Sequence, residues 1–314
     1  MQLGLGTAAL GRPQYINVRQ DATNTSNLEV FKKESFSVLE EAYQSGVRYF
    51  DTAPGYGLAE QLLINWLATK NDDTIKVATK WGYTYTANFN PDAKIHEVKE
   101  HSLEKLQEQW QVSKQLLPYL KVYQIHSATL ETGVLENEAV LKYLAFLKNT
   151  HHIKMGISTT GANQVEVIKK ALSVKVDGDM LFDVFQVTYN LLDQSLKEVS
   201  SLLLKENKTV VIKEALANGR IFRNENYPNY NTMYTALERL ANVHHVGVDA
   251  ICLQYAAQTI PGSTVLSGAS NREQIQENLK MNGFVLSQLE LEELSSFKVD
   301  ATQYWAERKD LQWN

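Results

Sequence analysis

Gly46-Val47-Arg48-Tyr49-Phe50-Asp51-Thr52-Ala53-Pro54-Gly55-Tyr56-Gly57 is the stretch that decides how this chain is read. Its apolar run, Val47–Asp51, has the length and composition of a buried strand and ends on a carboxylate. Two glycines and a proline then allow a tight backbone path that would turn the ring of Tyr56 over the strand end. A stretch with helical spacing follows near Glu60–Leu67.

The same strand–loop–helix unit recurs on both sides. Upstream, Leu3–Gly6 reads as a strand, a long polar loop spans roughly Ala8–Asn27, and Val30–Gln44 reads as a helix. Downstream, Ile75–Thr79 pairs with Ile95–Trp110, and Leu120–Ile125 with Glu138–Lys148. Lys154–Ile157 pairs with Asn163–Ala171, and Val184–Val187 with Leu196–Lys205. Thr209–Ile212 precedes two helical stretches, Tyr230–Val243 and Val248–Gln258, and Thr264–Leu266 precedes Arg272–Lys280. Ser287–Phe297 is a further amphipathic segment, followed by an aromatic tail with Tyr304, Trp305 and Trp313. Eight such pairs, six prolines and no Gly/Ser-rich linker predict one domain over residues 1–314. The expected fold is a closed (β/α)8 TIM barrel with a C-terminal extension over its mouth, because a doubly wound sheet would be open and shorter.

Composition narrows the function. With 44% hydrophobic and 21% charged residues, the chain has material for a large core. A net charge of −5 with no basic stripe points away from nucleic acid. No apolar run nears the ~20 residues of a membrane span. Met1–Gly6 lacks the features of a signal peptide, and Cys252 is the sole cysteine, so a cytoplasmic location is expected and no intrachain disulfide can form. Cys252 itself, in Ala250–Leu253, reads as a small buried hydrophobe. The histidine pairs His151-His152 and His244-His245 lack ligand spacing and read as helix-end surface residues, so no metal is expected. Oligomeric state has no visible signature.

Barrels of this type carry their chemistry at the carboxyl ends of the strands. Three successive apolar runs end in Asp51, Lys80 and His126, which would converge on one mouth beneath Tyr56. A phenol is a poor acid near neutrality unless a cation lies close, and Lys80 is expected to lower the pKa of Tyr56. Asp51 would hold Lys80, and His126 would orient a carbonyl oxygen. Taken singly, each has a plainer reading: a turn aspartate, a solvated lysine, a satisfied histidine, a loop-packing tyrosine. Their joint placement is what points to carbonyl reduction or alcohol oxidation.

The segment Gly46–Gly57, with Val77-Ala78-Thr79-Lys80 and Tyr123-Gln124-Ile125-His126, closely resembles the signature of the aldo-keto reductase superfamily in order and spacing. The resemblance extends over essentially the whole chain. It implies Asp51, Tyr56, Lys80 and His126 as the catalytic tetrad, and hydride chemistry from NADP(H), less often NAD(H), without a Rossmann fingerprint. It also implies a set of cofactor contacts. Gly6 and Thr7 belong to the first strand end, Ser158 and Thr159 to the fifth, and Gln186 would bind the nicotinamide carboxamide. Gly268, Ser270 and Gln274 would lie near the 2′-phosphate and ribose, with Arg272 adding charge there, and Glu277 and Asn278 would contact adenine. That stretch also opens a helix, whose N-terminus favours anions.

The chain departs from the family pattern twice. Ser158-Thr159 stands where Ser-Asn is frequent, and Thr159 can make only part of an amide's hydrogen bonds. After the seventh strand, Lys213-Glu214-Ala215-Leu216 stands where an aromatic ring and Ser-Pro-Leu usually face the nicotinamide. A neighbouring aromatic compensating for Lys213, Glu214 neutralising it, or altered cofactor affinity are the open alternatives. Aromatic loops (Trp81, Tyr83, Tyr85 and Phe89; Phe222, Tyr227 and Tyr230) would wall a pocket for a small carbonyl or alcohol substrate, including sugar lactols. Two other functions compete: a cofactor-binding regulatory protein resembling the potassium-channel β-subunits, and a lyase, isomerase or epimerase on the same scaffold.

Overall fold

Strands that are apolar on both faces bury one in a barrel lumen and the other under helices. The computed structural model describes residues 2–12, 27–90 and 92–311, and closes eight such strands into a parallel barrel. They are β1 (Gln2–Gly6), β2 (Tyr49–Asp51), β3 (Lys76–Trp81), β4 (Leu120–Ala128), β5 (Lys154–Thr159), β6 (Phe182–Thr188), β7 (Thr209–Lys213) and β8 (Thr264–Ser267). Sequence neighbours pair all the way round, and β1 closes the seam against β8, with Leu3 beside Val265 and Leu5 beside Ser267.

The outer layer comprises α1 (Leu28–Gln44), α2 (Ala59–Leu67), α3 (Leu103–Ser113), α4 (Glu138–His151), α5 (Gln164–Leu172) and α6 (Lys197–Lys205). It continues with α7 (Asn231–His244), α8 (Val248–Thr259), α9 (Arg272–Leu279), α10 (Gln288–Ser295) and α11 (Ala301–Lys309). None of the described helices is long and apolar enough to cross a membrane. Cys252 lies in α8, which is buried along most of its circumference, and is itself buried.

Inside the barrel, Tyr49, Ala78, Val122, Val184, Val211 and Leu266 form an apolar plug. The plug leaves no room beside β1. A Cβ on Gly4 would lie 2.9 Å from Leu266 Cδ2 and 3.0 Å from Tyr49 Cδ1.

Two segments differ from the sequence reading. The helix expected over Ile95–Trp110 starts only at Leu103, where the Ser102 side chain accepts from the Lys105 N–H and caps it. Glu97–Lys99 instead pairs antiparallel with Tyr83–Tyr85, forming a hairpin beyond β3. The aromatic tail is helical: Asp300 accepts from the Thr302 N–H and starts α11. The polar loop expected over Ala8–Asn27 lies outside the described residues between 13 and 26, as does Trp313.

Candidate active site

The plug sets the height of the chemistry. Strand side chains repeat every two residues, so the next inward positions above Tyr49, Ala78, Val122, Val184 and Val211 are Asp51, Lys80, Gln124, Gln186 and Lys213. His126 lies one step further along β4. Near it the β4–β5 register shifts, and Ser127 has φ +53°. The bulge is pinned by the Ser127 N–H donating to Ser158 Oγ at 2.8 Å.

Asp51 is the hub of this layer. Lys80 Nζ donates to its Oδ2 at 2.5 Å and to Thr52 O at 3.0 Å. The amides of Gln186 and Gln124 donate to Oδ1 at 2.7 and 3.4 Å. Asp51 and Lys80 are almost fully buried (2% and 0% exposed), and a buried ion pair is tolerable only with such further hydrogen bonds.

Tyr56 arrives on a single 3-10 turn, Pro54–Tyr56, followed by Gly57 at φ +65°. Gly11 lies so close that a Cβ there would be 1.8 Å from Tyr56 O, and one on Gly57 would be 2.5 Å from Gly11 O. These two glycines let the loop lock against the first strand's connection. The phenol oxygen is 3.4 Å from His126 Nε2, and Lys80 Nζ is 4.8 Å from the ring centre. Tyr83 also packs edge-on against His126, with ring centres 4.7 Å apart.

Electrostatics here differ from the sequence expectation. Burial pushes the Tyr56 phenol well above its usual value, and the Asp51 carboxylate adds to that. Lys80 does not reverse this, because its ammonium is already engaged by Asp51. Burial also holds His126 well below the usual imidazole range, with Lys80 and Arg12 acting the same way. Both groups are therefore neutral near pH 7: a protonated phenol beside an uncharged imidazole.

A cavity of about 330 Å³ opens from this layer. Asp51, Tyr56 and Gln186 line its inner end, Lys213, Glu214 and Leu216 one wall, and Gly268, Ser270, Gln274 and Asn278 its far end. Gly6 lines it as well. Other predicted contacts stand back from the wall. Thr7 Oγ1 donates to Asp51 O at 3.0 Å, and Thr159 Oγ1 donates to Gln164 Oε1 at 3.1 Å. Arg272 is exposed, and Glu277 is paired with Lys280 at 2.6 Å. Of the loop aromatics, Phe222 lines the cavity, whereas Trp81 is fully buried and Tyr230 donates to Glu307 at 2.6 Å.

Sequence reasoning passed over Gln124, Asn218 and Asp249. Counting two residues back from His126 would have found Gln124. Asp249 comes from α8, where it accepts from Asn278 Nδ2 at 2.5 Å, and no local pattern marks it.

The unusual wall is held from behind. Lys213 Nζ donates to Thr188 Oγ1 at 2.7 Å and lies 3.7 Å from Glu214 Oε1. Glu214 Oε1 accepts from Arg308 Nε and Nη2 at 3.1 and 3.0 Å, and Glu214 Oε2 accepts from Tyr304 Oη at 3.1 Å. Burial drives the Glu214 carboxyl upward, but Arg308 and Lys213 outweigh it and bring its pKa down to about 2. The Trp305 ring lies 5.7 Å from Lys213 Nζ.

Residues 2–298 match the sequence profile described as the aldo/keto reductase family. A pyridoxal 4-dehydrogenase of Microbacterium luteolum is 25% identical over 88% of this chain and 88% of its own. An NADH-specific methylglyoxal reductase of Escherichia coli (strain K12) is 24% identical, again over 88% of each chain. Among solved structures, the holo form of an aldo-keto reductase from Bacillus halodurans superimposes with a TM-score of 0.71, at 22% identity, covering 97% of this chain and 95% of that one. A glycerol dehydrogenase from Gluconobacter oxydans gives a TM-score of 0.72 at 20% identity, covering 94% and 90%.

Proposed function

The chain belongs to the aldo/keto reductase family, and from that premise we propose that it reduces an aldehyde or ketone, or oxidises the corresponding alcohol or sugar lactol, with Tyr56 as general acid/base. The observation that carries this is that Asp51, Tyr56 and Gln186, with Lys80 held behind Asp51, line the same cavity as the loop at the start of α9.

The residues present fit a nicotinamide dinucleotide. A buried amide, Gln186, lies at the inner end, and the backbone of Ser270–Asn271 leads into a helix N-terminus suited to anions. A Cβ on Gly268 would meet nothing within 4 Å, so the wall is open there. Asn278 lies at the far end. When bound, the reduced nicotinamide would supply hydride to the carbonyl carbon.

The chain's own groups would handle the oxygen. His126 Nε2 and the Tyr56 hydroxyl bracket a place for it, and Tyr56 gives its proton as negative charge develops. Lys80, behind the ring, stabilises the phenolate left by that transfer, and Asp51 with Gln186 keeps the ammonium in position. In the alcohol direction the same phenolate takes the proton back.

The family resemblance implies NADP(H), and less often NAD(H). At the cavity's far end, however, Ser270, Asn271 and Gln274 stand with the carboxylate of Asp249, and no lysine or arginine lies beside them among the described lining residues. We therefore propose that NAD(H) is taken at least as readily as NADP(H), with exposed Arg272 the group a 2′-phosphate would engage.

The test follows cofactor absorbance with NADH and NADPH over aldehydes, ketones and sugars, with Tyr56→Phe as control. Turnover that falls about 100-fold or more in the variant, with cofactor affinity kept, is expected for loss of a general acid. Tight cofactor binding without turnover would favour a regulatory protein. Reaction without net cofactor consumption would favour an isomerase or epimerase.

A further inference from the structure

We propose that Lys213 makes the cavity discriminate against the oxidised dinucleotide, so that the reduced form binds more tightly; this rests on the oxidoreductase reading above. Three observations lead to it.

The first is position. Hydride and proton must reach the two ends of one C=O bond, so the nicotinamide must lie at the inner end, near Tyr56. Lys213 lines the cavity with Tyr56 and Gln186, and its Nζ is tied to Thr188, two residues beyond Gln186 on β6. The only ring near its Nζ among the described residues, Trp305, lies 5.7 Å away, with its indole N–H held by Asp193 Oδ2 at 3.2 Å. Lys213 thus presents a cation to the wall.

The second is incomplete neutralisation. Glu214 is the nearest counter-charge, at 3.7 Å, beyond hydrogen-bond length. Its Oε1 takes two hydrogen bonds from Arg308, and its Oε2 one from Tyr304. One carboxylate is shared by two cations and is oriented by the one behind the wall. The next carboxylate, Asp193, is engaged by Ser195, Gln164 and Trp305. Lys80, the other cation of the layer, has Asp51 to itself at 2.5 Å.

The third is the charge of the ligand's ring. An oxidised nicotinamide is a cation and a reduced one is neutral, while the rest of the dinucleotide is unchanged. A fixed, partly compensated cation therefore weakens only the oxidised form. With Glu214 compensating Lys213 only in part, a net discrimination of about three- to tenfold is expected.

Dissociation constants for NADH and NAD+ are measured by quenching of tryptophan fluorescence and by calorimetry, on wild type, Lys213→Met, Lys213→Arg and Arg308→Met. In Lys213→Met the ratio Kd(NAD+)/Kd(NADH) should fall about three- to tenfold, mostly through tighter NAD+ binding, and Lys213→Arg should keep it. Arg308→Met should also lower the ratio, because Glu214 is then free to neutralise Lys213; a steric role for Lys213 would not produce this. A ratio unchanged in Lys213→Met, or both forms weakened equally, overturns the proposal. Failure of wild type to bind either form overturns instead the oxidoreductase reading, and this inference with it.

Discussion

The two ends of the cavity are built on different principles. At the inner end, Asp51, Lys80, Gln124 and Gln186 are at most 2% exposed and are bonded to one another across strands. At the far end, Asn271 and Gln274 are exposed, and their hydrogen bonds are local: Gln274 N–H to Asn271 Oδ1, and Ser270 N–H to Gln274 Oε1. The inner end must hold charges in fixed places while a proton moves, so it uses buried, mutually dependent groups on rigid strands. The far end only has to hold a ligand, and helix-capping geometry suffices. Damage at the inner end should therefore be felt by both fold and activity, and damage at the far end by binding alone.

The largest effect expected in the comparison is from Lys80→Met. It leaves the Asp51 carboxylate buried without its cation, a change that costs about 3–5 kcal/mol in comparable pairs. Denaturant unfolding should show that loss together with turnover reduced at least about 100-fold. Unchanged stability would mean that Gln186 and Gln124 alone satisfy Asp51, and the contrast between the ends would weaken.

A second test lies directly behind the inner end. Glu60 in α2 is buried, accepts from Thr79 Oγ1 and Ser113 Oγ through one oxygen, and has no partner for the other among the described residues. Burial raises its pKa from 4.5 to about 7, only partly opposed by those hydroxyls. Because the folded value exceeds the unfolded one, this group's stabilisation is complete below about pH 4.5 and is lost as pH rises through about 7. Up to about 3 kcal/mol is at stake. Glu60→Gln should flatten the stability profile between about pH 4.5 and 7, the window spanned by those two values. An unaltered slope would show that Glu60 stays ionised in the fold.

The smallest effect belongs to the far end. Arg272→Ala should raise the Kd for NADPH about two- to fivefold, as loss of one exposed charge contact would. NADH affinity, melting temperature and kcat should stay where they are. A matching loss of NADH affinity would show that Arg272 supports the loop itself and not the 2′-phosphate.

Legibility in the sequence followed the same divide. Asp51 and Tyr56 lie in one short segment, and Lys80 and His126 each end an apolar run, so local pattern and strand-end placement suffice to pick them out. The eight βα units were visible for the same reason, since strand and helix periodicities are local. Asp249 reaches the cavity only through the packing of α8 on α9, and Asn218 through a loop with several left-handed residues, so neither leaves a trace in sequence. The helix expected over Ile95–Trp110 begins only where Ser102 caps it, and Glu97–Lys99 before it pairs with Tyr83–Tyr85, a long-range pairing that local pattern does not reveal. Only Tyr304 is buried in α11, too few apolar residues to announce a helix; what anchors it is ion pairing with Glu214 and Arg220.

That anchoring has a consequence in time. Glu214 and Arg308 are 94 residues apart in the chain. At synthesis rates of about 5–20 residues per second, roughly 5–20 seconds separate the emergence of the carboxylate from that of the guanidinium that orients it. The wall therefore acquires its final charge only when the helix carrying Tyr304 and Arg308, the last to be made, docks on it.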